Sequence, residues 1–250
     1  MGGARGRQGP AGSRRLNVRR RDGFRERGLQ VTRLETFVDA AFAFALTLLV
    51  IGAGQRPESY AALHDALRRI PTFLACFALI AGFWAAHERF SRRFGIEDRT
   101  TVLLSLAIVA LTLMFVYPLR MVISSGFWLM TAGWVPTELA IDSVLELETA
   151  FRVFAAGFAS LSLALLLLNA HALRHAVALE LDARELLETR GEVRRHAIDI
   201  SVALLSVAIS FMVLGSREPW VLGMPGFVYG LLAVLMPLHA RDLRRKRAAL

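Results

Sequence analysis

Six apolar runs, at residues 37–53, 70–87, 101–122, 153–172, 197–215 and 220–238, follow one another along a chain of 250 residues. Each is near the roughly 17 to 25 residues with which an α-helix crosses the hydrocarbon of a bilayer. A soluble bundle needs polar faces at helical period, and these runs are apolar all round, so the succession reads as membrane spans rather than as buried helices. Their length and their richness in Ala and Leu exclude strands. The expected fold is an all-α membrane protein of six transmembrane helices, a multi-pass protein of the cell membrane in contact with lipid.

Charge is segregated from these runs. The net charge is +9 although 55% of the residues are hydrophobic. Most of the arginine lies in residues 1–32, 87–100, 173–196 and 241–250, and with six spans these four segments fall on one side. The positive-inside rule makes that side cytoplasmic, and both termini with it. The other connections differ: 54–69 is mixed, 120–152 carries Glu138, Asp142, Glu146 and Glu148, and 216–219 is short. Arginines set between apolar runs, with no zinc-finger or RNP pattern beside them, argue against a nucleic-acid partner. Cys76 is the single cysteine, which excludes an intrachain disulfide and a thiolate cluster.

Residues 1–32 are rich in Gly and Arg and poor in apolar clusters, so a disordered basic tail is expected there. No short apolar region with a small-residue cleavage site follows it, which argues against a cleaved export signal. Residues 33–240 then form the transmembrane domain and 241–250 a second basic tail. The stretch 124–136, apolar and aromatic but broken by Gly126, Gly133 and Pro136, reads as a re-entrant segment or as an interfacial loop anchored by Trp128 and Trp134. Residues 173–196 repeat leucine and charge at helical spacing and read as an amphipathic extension of the fourth span, with Glu180 and Arg184 as a solvated i,i+4 pair. His171 and His175 are also four apart, but no acidic or cysteine partner is evident beside them, so no metal site is expected.

The first span holds the most informative residues. On a helix, Arg33, Phe37, Ala40, Phe44, Thr47 and Ile51 share one stripe. Asp39 lies about 120° from Arg33 at 3.6 residues per turn, so the two cannot pair within the helix. Two readings of Asp39 stand side by side. It is either an intramembrane charge facing another helix or a hydrated cavity, or an acid stabilised by the dipole of the helix N-terminus.

The stretch "RLETFVDAAFAFALTLLV" resembles the signature Arg-x-x-x-Phe-Ser-Asp, followed by an Ala/Ile/Phe-rich run with a Thr, of the transmembrane protein 175 family of potassium channels. "FWAAHERF" (83–90) resembles that family's Phe-Trp-x-x-His pattern, and the aromatic-Pro pair Tyr117 and Pro118 ends the third run in a similar way. The resemblance implies a homotetramer in which the first helix of each subunit lines a central pore, with potassium as the permeant ion and no cofactor. Animal members carry the motif twice per chain, whereas it occurs once here. The positions matching the family's pore rings are Phe44 for the narrowest apolar ring, Thr47 for the hydroxyl ring and Ile51 for an outer ring, with Ala40 on the same stripe. The resemblance further implies a polar network in which Arg33 and Asp39, with the motif's Phe37 between them, join Trp84 and His87 of the second span. For His87 a span-ending interfacial histidine is the competing reading.

Two departures from the pattern bear on activity. Val38 stands where the motif has serine, which removes a hydroxyl from the implied network. Phe44 stands where Ile or Leu is usual, and four phenyl rings about one axis favour a dry, closed constriction. The expectation is a potassium-permeable channel and not an enzyme. A non-conducting structural or regulatory homologue is the alternative, followed by a proton-coupled transporter using Asp39 and His87.

Overall fold

The computed structural model describes residues 24–28, 30–51, 58–138, 143–216 and 218–250. The expected tail as far as residue 23, and Asp142 of the acidic segment, lie outside the described residues. The helices are α1 (Arg33–Ile51), α2 (Tyr60–Arg68), α3 (Ile70–Phe94), α4 (Arg99–Met130), α5 (Val144–Arg174), α6 (Ala183–Met212), α7 (Pro219–Leu222), α8 (Met224–Phe227) and α9 (Leu232–Ala248), with a 3₁₀ turn at Val228–Leu231 before α9. Among the described residues, five of these, α1, α3, α4, α5 and α6, are long and apolar enough to cross a membrane.

Local sequence sets the ends of these helices. Thr32 accepts the Glu35 amide and Glu35 accepts the Thr32 amide, a reciprocal cap that starts α1. Gly95, at φ +58°, stops α3 in the left-handed conformation that glycine adopts without strain. Asp98, Ser143 and Asp182 cap α4, α5 and α6 through side-chain oxygens.

α5 is the axis of the packing, lying against α3, α4 and α6, while α1 rests on α3 and α4. Phe83, Phe115, Phe154, Phe158 and Tyr229 form a run of edge and tilted ring contacts at 5.1–5.6 Å around α5. Gly157 admits Phe115 to this interface: a Cβ there would sit 2.5 Å from the ring, so α4 and α5 could not approach as they do.

The structure corrects several expectations. The run at 220–238 is not one helix but α7, α8, a 3₁₀ turn and the start of α9, because Gly223, Pro225 and Gly226 interrupt the i→i−4 ladder. Ser206 of α6 donates to the Pro225 carbonyl at 2.7 Å, satisfying an acceptor that this break exposes. Residues 124–130, read as a re-entrant or interfacial segment, continue α4. The segment 173–196 does not extend the fourth span: α5 ends at Arg174 and a turn leads to α6, which begins at Ala183. Glu180 has φ 49° in that turn, so no helical pair with Arg184 forms. The C-terminal basic residues are helical as far as Ala248, as the last turns of α9.

The N-terminal basic segment also departs from expectation where it is described. Phe24 is 1% exposed and meets Phe94 edge-on at 5.5 Å. The amides of Arg27 and Gly28 donate to the Arg92 carbonyl at 3.2 and 3.1 Å. Arg25 and Arg27 both reach the Glu185 carboxylate, at 3.2 and 2.8 Å. Glu185 is fully buried, not part of a solvated face. Arg89 and Arg93 of α3 pair with Glu192, and Arg247 pairs with Glu188. His239 of α9 approaches the Gly191 carbonyl at 3.0 Å. The four basic segments therefore meet at one end of the bundle. Because α9 returns to the start of α6, the broken run at 219–238 carries the chain back along the length of the bundle.

Candidate functional site

α1 divides into two faces. Val38, Phe42, Ala45 and Leu49 are buried against the bundle. Arg33, Phe37, Ala40, Phe44, Thr47 and Ile51 are all exposed on the other side, Phe44 at 55% and Ile51 at 65%. Nineteen residues give α1 a length of about 28 Å, close to the hydrocarbon thickness. The chain thus presents an exposed stripe as tall as the bilayer, apolar from Phe37 to Ile51 except for one hydroxyl. That hydroxyl, of Thr47, donates to the Ala43 carbonyl at 2.9 Å, so its proton is taken up within the helix and its lone pairs remain as acceptors.

Asp39 accepts a hydrogen bond from the Trp84 indole Nε1–H at 2.8 Å, which joins α1 to α3. The acid that serves the α1 N-terminus is Glu35, one turn earlier, so Asp39 is held by another helix and not by its own dipole. His87 is 2% exposed and shares a hydrogen bond of 2.9 Å with Ser105 of α4. Arg33 is exposed and, among the described residues, pairs with neither Asp39 nor His87. Of the network expected from the motif, the chain brings Asp39 and Trp84 together, turns His87 to α4 and leaves Arg33 on the open face beside Phe37. Val38, the position that departs from the motif serine, is fully buried in the apolar core with Phe42.

The other end of α1 is fixed by residues that no sequence motif marks. Arg120, 6% exposed in α4, donates to the Leu49 carbonyl at 2.9 Å and pairs with Glu138. Arg69 lies 3.7 Å from the same carboxylate. Ser124 accepts the Glu138 amide at 3.0 Å, which holds the connection after α4 over the end of α1. An arginine within an apolar run was the available signal, since a charge there requires a partner.

A second cluster lies at the edge of the apolar runs. Asp98, between α3 and α4, meets His171 and His175 from the end of α5. The acidic partner that the histidine pair lacks in the linear chain is supplied 73 residues away, with Asp98 Oδ2 2.6 Å from His171 Nε2.

Comparison with known proteins agrees with the first span's motif. A model of the family described as "Endosomal/lysosomal potassium channel TMEM175" matches residues 33–118. A protein of Marivirga tractuosa described as "Potassium channel" is 30% identical over 236 residues, covering 89% of this chain and 92% of that protein. The crystal structure of a threonine-to-alanine variant of the potassium channel MtTMEM175, in complex with a nanobody–MBP fusion protein, superposes with a TM-score of 0.75 at 28% identity. That match covers 91% of this chain and 100% of the other. With its motif, its helical bundle and its full-length relative in agreement, this chain is a member of the TMEM175 family of potassium channels.

Proposed function

We propose that the protein conducts potassium across the cell membrane as a homotetramer, with α1 of each subunit lining the pore. The observation that carries this reading is the uninterrupted exposed stripe Phe37, Ala40, Phe44, Thr47, Ile51, opposite a face wholly committed to the bundle. Four copies of that stripe about one axis make apolar rings at 44 and 51 around a ring of hydroxyl acceptors at 47. Phe44 forms the narrowest dry constriction, and the Thr47 oxygens replace part of the hydration shell of a passing cation. The four basic segments meeting at one end support a cytoplasmic placement of that end and of both termini, with 219–238 as a broken sixth crossing.

Purified protein in liposomes should show potassium flux above empty vesicles. In cysteine variants along 40–51, a water-borne thiol reagent should label 40, 44, 47 and 51 and leave 42, 45 and 49 untouched. Flux at the empty-vesicle level, with uniform protection along the stripe, would favour the non-conducting homologue.

The transporter reading gains two buried acids within the spans, Glu148 of α5 and Asp199 of α6, the latter 3.4 Å from His196. Glu148 is fully buried, and neither of its carboxylate oxygens has a hydrogen-bond partner among the described residues. Glu148 lies near the start of α5, at the opposite end of the bundle from Asp39 and His87, so these three groups do not converge at one depth.

A further inference from the structure

We propose that Asp98, His171 and His175 form a divalent transition-metal site of the Zn²⁺ class, which fastens the start of α4 to the end of α5. One ligand atom from each of the three lies within 4.8 Å of the others. Two imidazoles and a carboxylate are a donor set suited to Zn²⁺, with a fourth position left to water. His175 is exposed, so that position opens to solvent.

Each end of the set is already oriented by backbone. Asp98 Oδ1 accepts the Thr101 amide at 2.8 Å, which turns Oδ2 toward the histidines. His175 Nδ1 lies 3.0 Å from the His171 carbonyl, so Nδ1 carries the proton and Nε2 keeps its lone pair. An imidazole whose second nitrogen donates to a backbone carbonyl is the usual arrangement of a metal-ligating histidine. The two rings sit 4.5 Å apart on successive turns of one helix, and both flank Asp98. Tetrahedral ligands at about 2.0 to 2.2 Å from zinc stand roughly 3.3 to 3.6 Å from one another. The Asp98 and His171 atoms, now 2.6 Å apart, need only separate by about 1 Å, within the reach of small side-chain rotations at two half-buried residues.

The test uses the full chain, purified without a histidine tag, stripped with EDTA and titrated with Zn²⁺. Bound metal is counted after gel filtration, and thermal unfolding is followed with and without the ion. About one Zn²⁺ per chain and a raised Tm are expected, by the linkage of binding to folding. His175→Ala removes an exposed side chain and keeps the Asp98–His171 hydrogen bond. It should weaken binding by roughly tenfold or more and abolish the Tm shift, since loss of an outer partner alone costs about 10- to 100-fold. Asp98→Asn should weaken binding comparably, while His64→Ala, at an exposed histidine in α2, should change nothing. Stoichiometry and Tm shift in His175→Ala equal to those of the parent would overturn the site. So would absence of bound zinc in the parent, which would leave Asp98 and His171 as a hydrogen-bonded pair only.

Discussion

Arg120 donates from Nη1 to the backbone carbonyl of Leu49 at 2.9 Å. The last four carbonyls of a helix have no partner within it, and the C-terminal end of its dipole favours a cation. One arginine thus satisfies the end of α1, sets its height against α4 and brings Glu138 over the same point. At the opposite end of α1 the Asp39–Trp84 bond does comparable work. The helix is pinned at both ends, and its open face lies between the pins.

Arg120→Leu should therefore be among the costly single changes. It leaves the Glu138 carboxylate short of its buried partner and the Leu49 carbonyl bare. Breaking one member of a buried pair costs about 3 to 5 kcal/mol. A fall in Tm of several degrees in detergent is expected, with Arg120→Lys recovering only part of it, because a point charge cannot bridge carbonyl and carboxylate as the guanidinium does. Unchanged unfolding of Arg120→Leu would show that α1 is anchored elsewhere.

Trp84→Phe keeps the ring and deletes the donor to Asp39. Hydrogen bonds to charged groups are worth about 1.5 to 3 kcal/mol when sheltered, and the half-open setting of this pair places the effect at the low end. Within a single chain Arg33→Ala should change stability less than Trp84→Phe. If Arg33→Ala instead reduces the fraction of the proposed tetramer by mass measurement, its partner is in a neighbouring subunit.

On the proposed tetrameric pore, Phe44→Ala should raise potassium flux in liposomes, since shortening four phenyl groups would widen and wet the dry ring. Adding Thr47→Ala to that background should bring potassium and sodium fluxes closer together. A flux that stays at the empty-vesicle level in Phe44→Ala, with the tetramer intact, assigns the chain to the non-conducting alternative.

Asp98 titrates below the usual carboxylate range. Burial pushes it upward, but the Thr101 amide and the His171 ring hold it down more strongly. A carboxylate with a lower pKa folded than unfolded contributes stability above its unfolded pKa of about 3.9, and that contribution is lost as pH falls through the folded value. Tm measured from pH 7 to pH 3 should fall on the acid side, and Asp98→Asn should lose less over the same interval. Parallel acid limbs for parent and variant would remove this residue from the pH response.

Much of α1 was readable because a single helix makes its own neighbours. The stripe from Arg33 to Ile51 follows from 3.6-residue spacing alone, and the open face lies where that spacing places it. The pairings that position it were not readable. Arg120 with Leu49, Asp98 with His171 and Arg25 with Glu185 join residues 71, 73 and 160 positions apart. Periodicity carries no information at that range. Other misses had local signals that a stronger pattern masked. Asp182 and Glu185 have the spacing of a capping box, yet the leucine-and-charge repeat reads straight through them. Gly223, Pro225 and Gly226 were visible breakers within a run whose hydropathy alone argued for one helix.

The clasp of Arg25 and Arg27 on Glu185 orders events during synthesis. The segment from Phe24 to Gly28 leaves the ribosome before any span, but its acceptor follows 160 residues later. At about 5 to 20 residues per second, roughly ten to thirty seconds separate the two. Through that interval Phe24 has no complete seat, and the arginines have no Glu185. The segment closes over the ends of α3 and α6 only after the chain has laid down α5, so its docking marks the arrival of α6 against spans made before it.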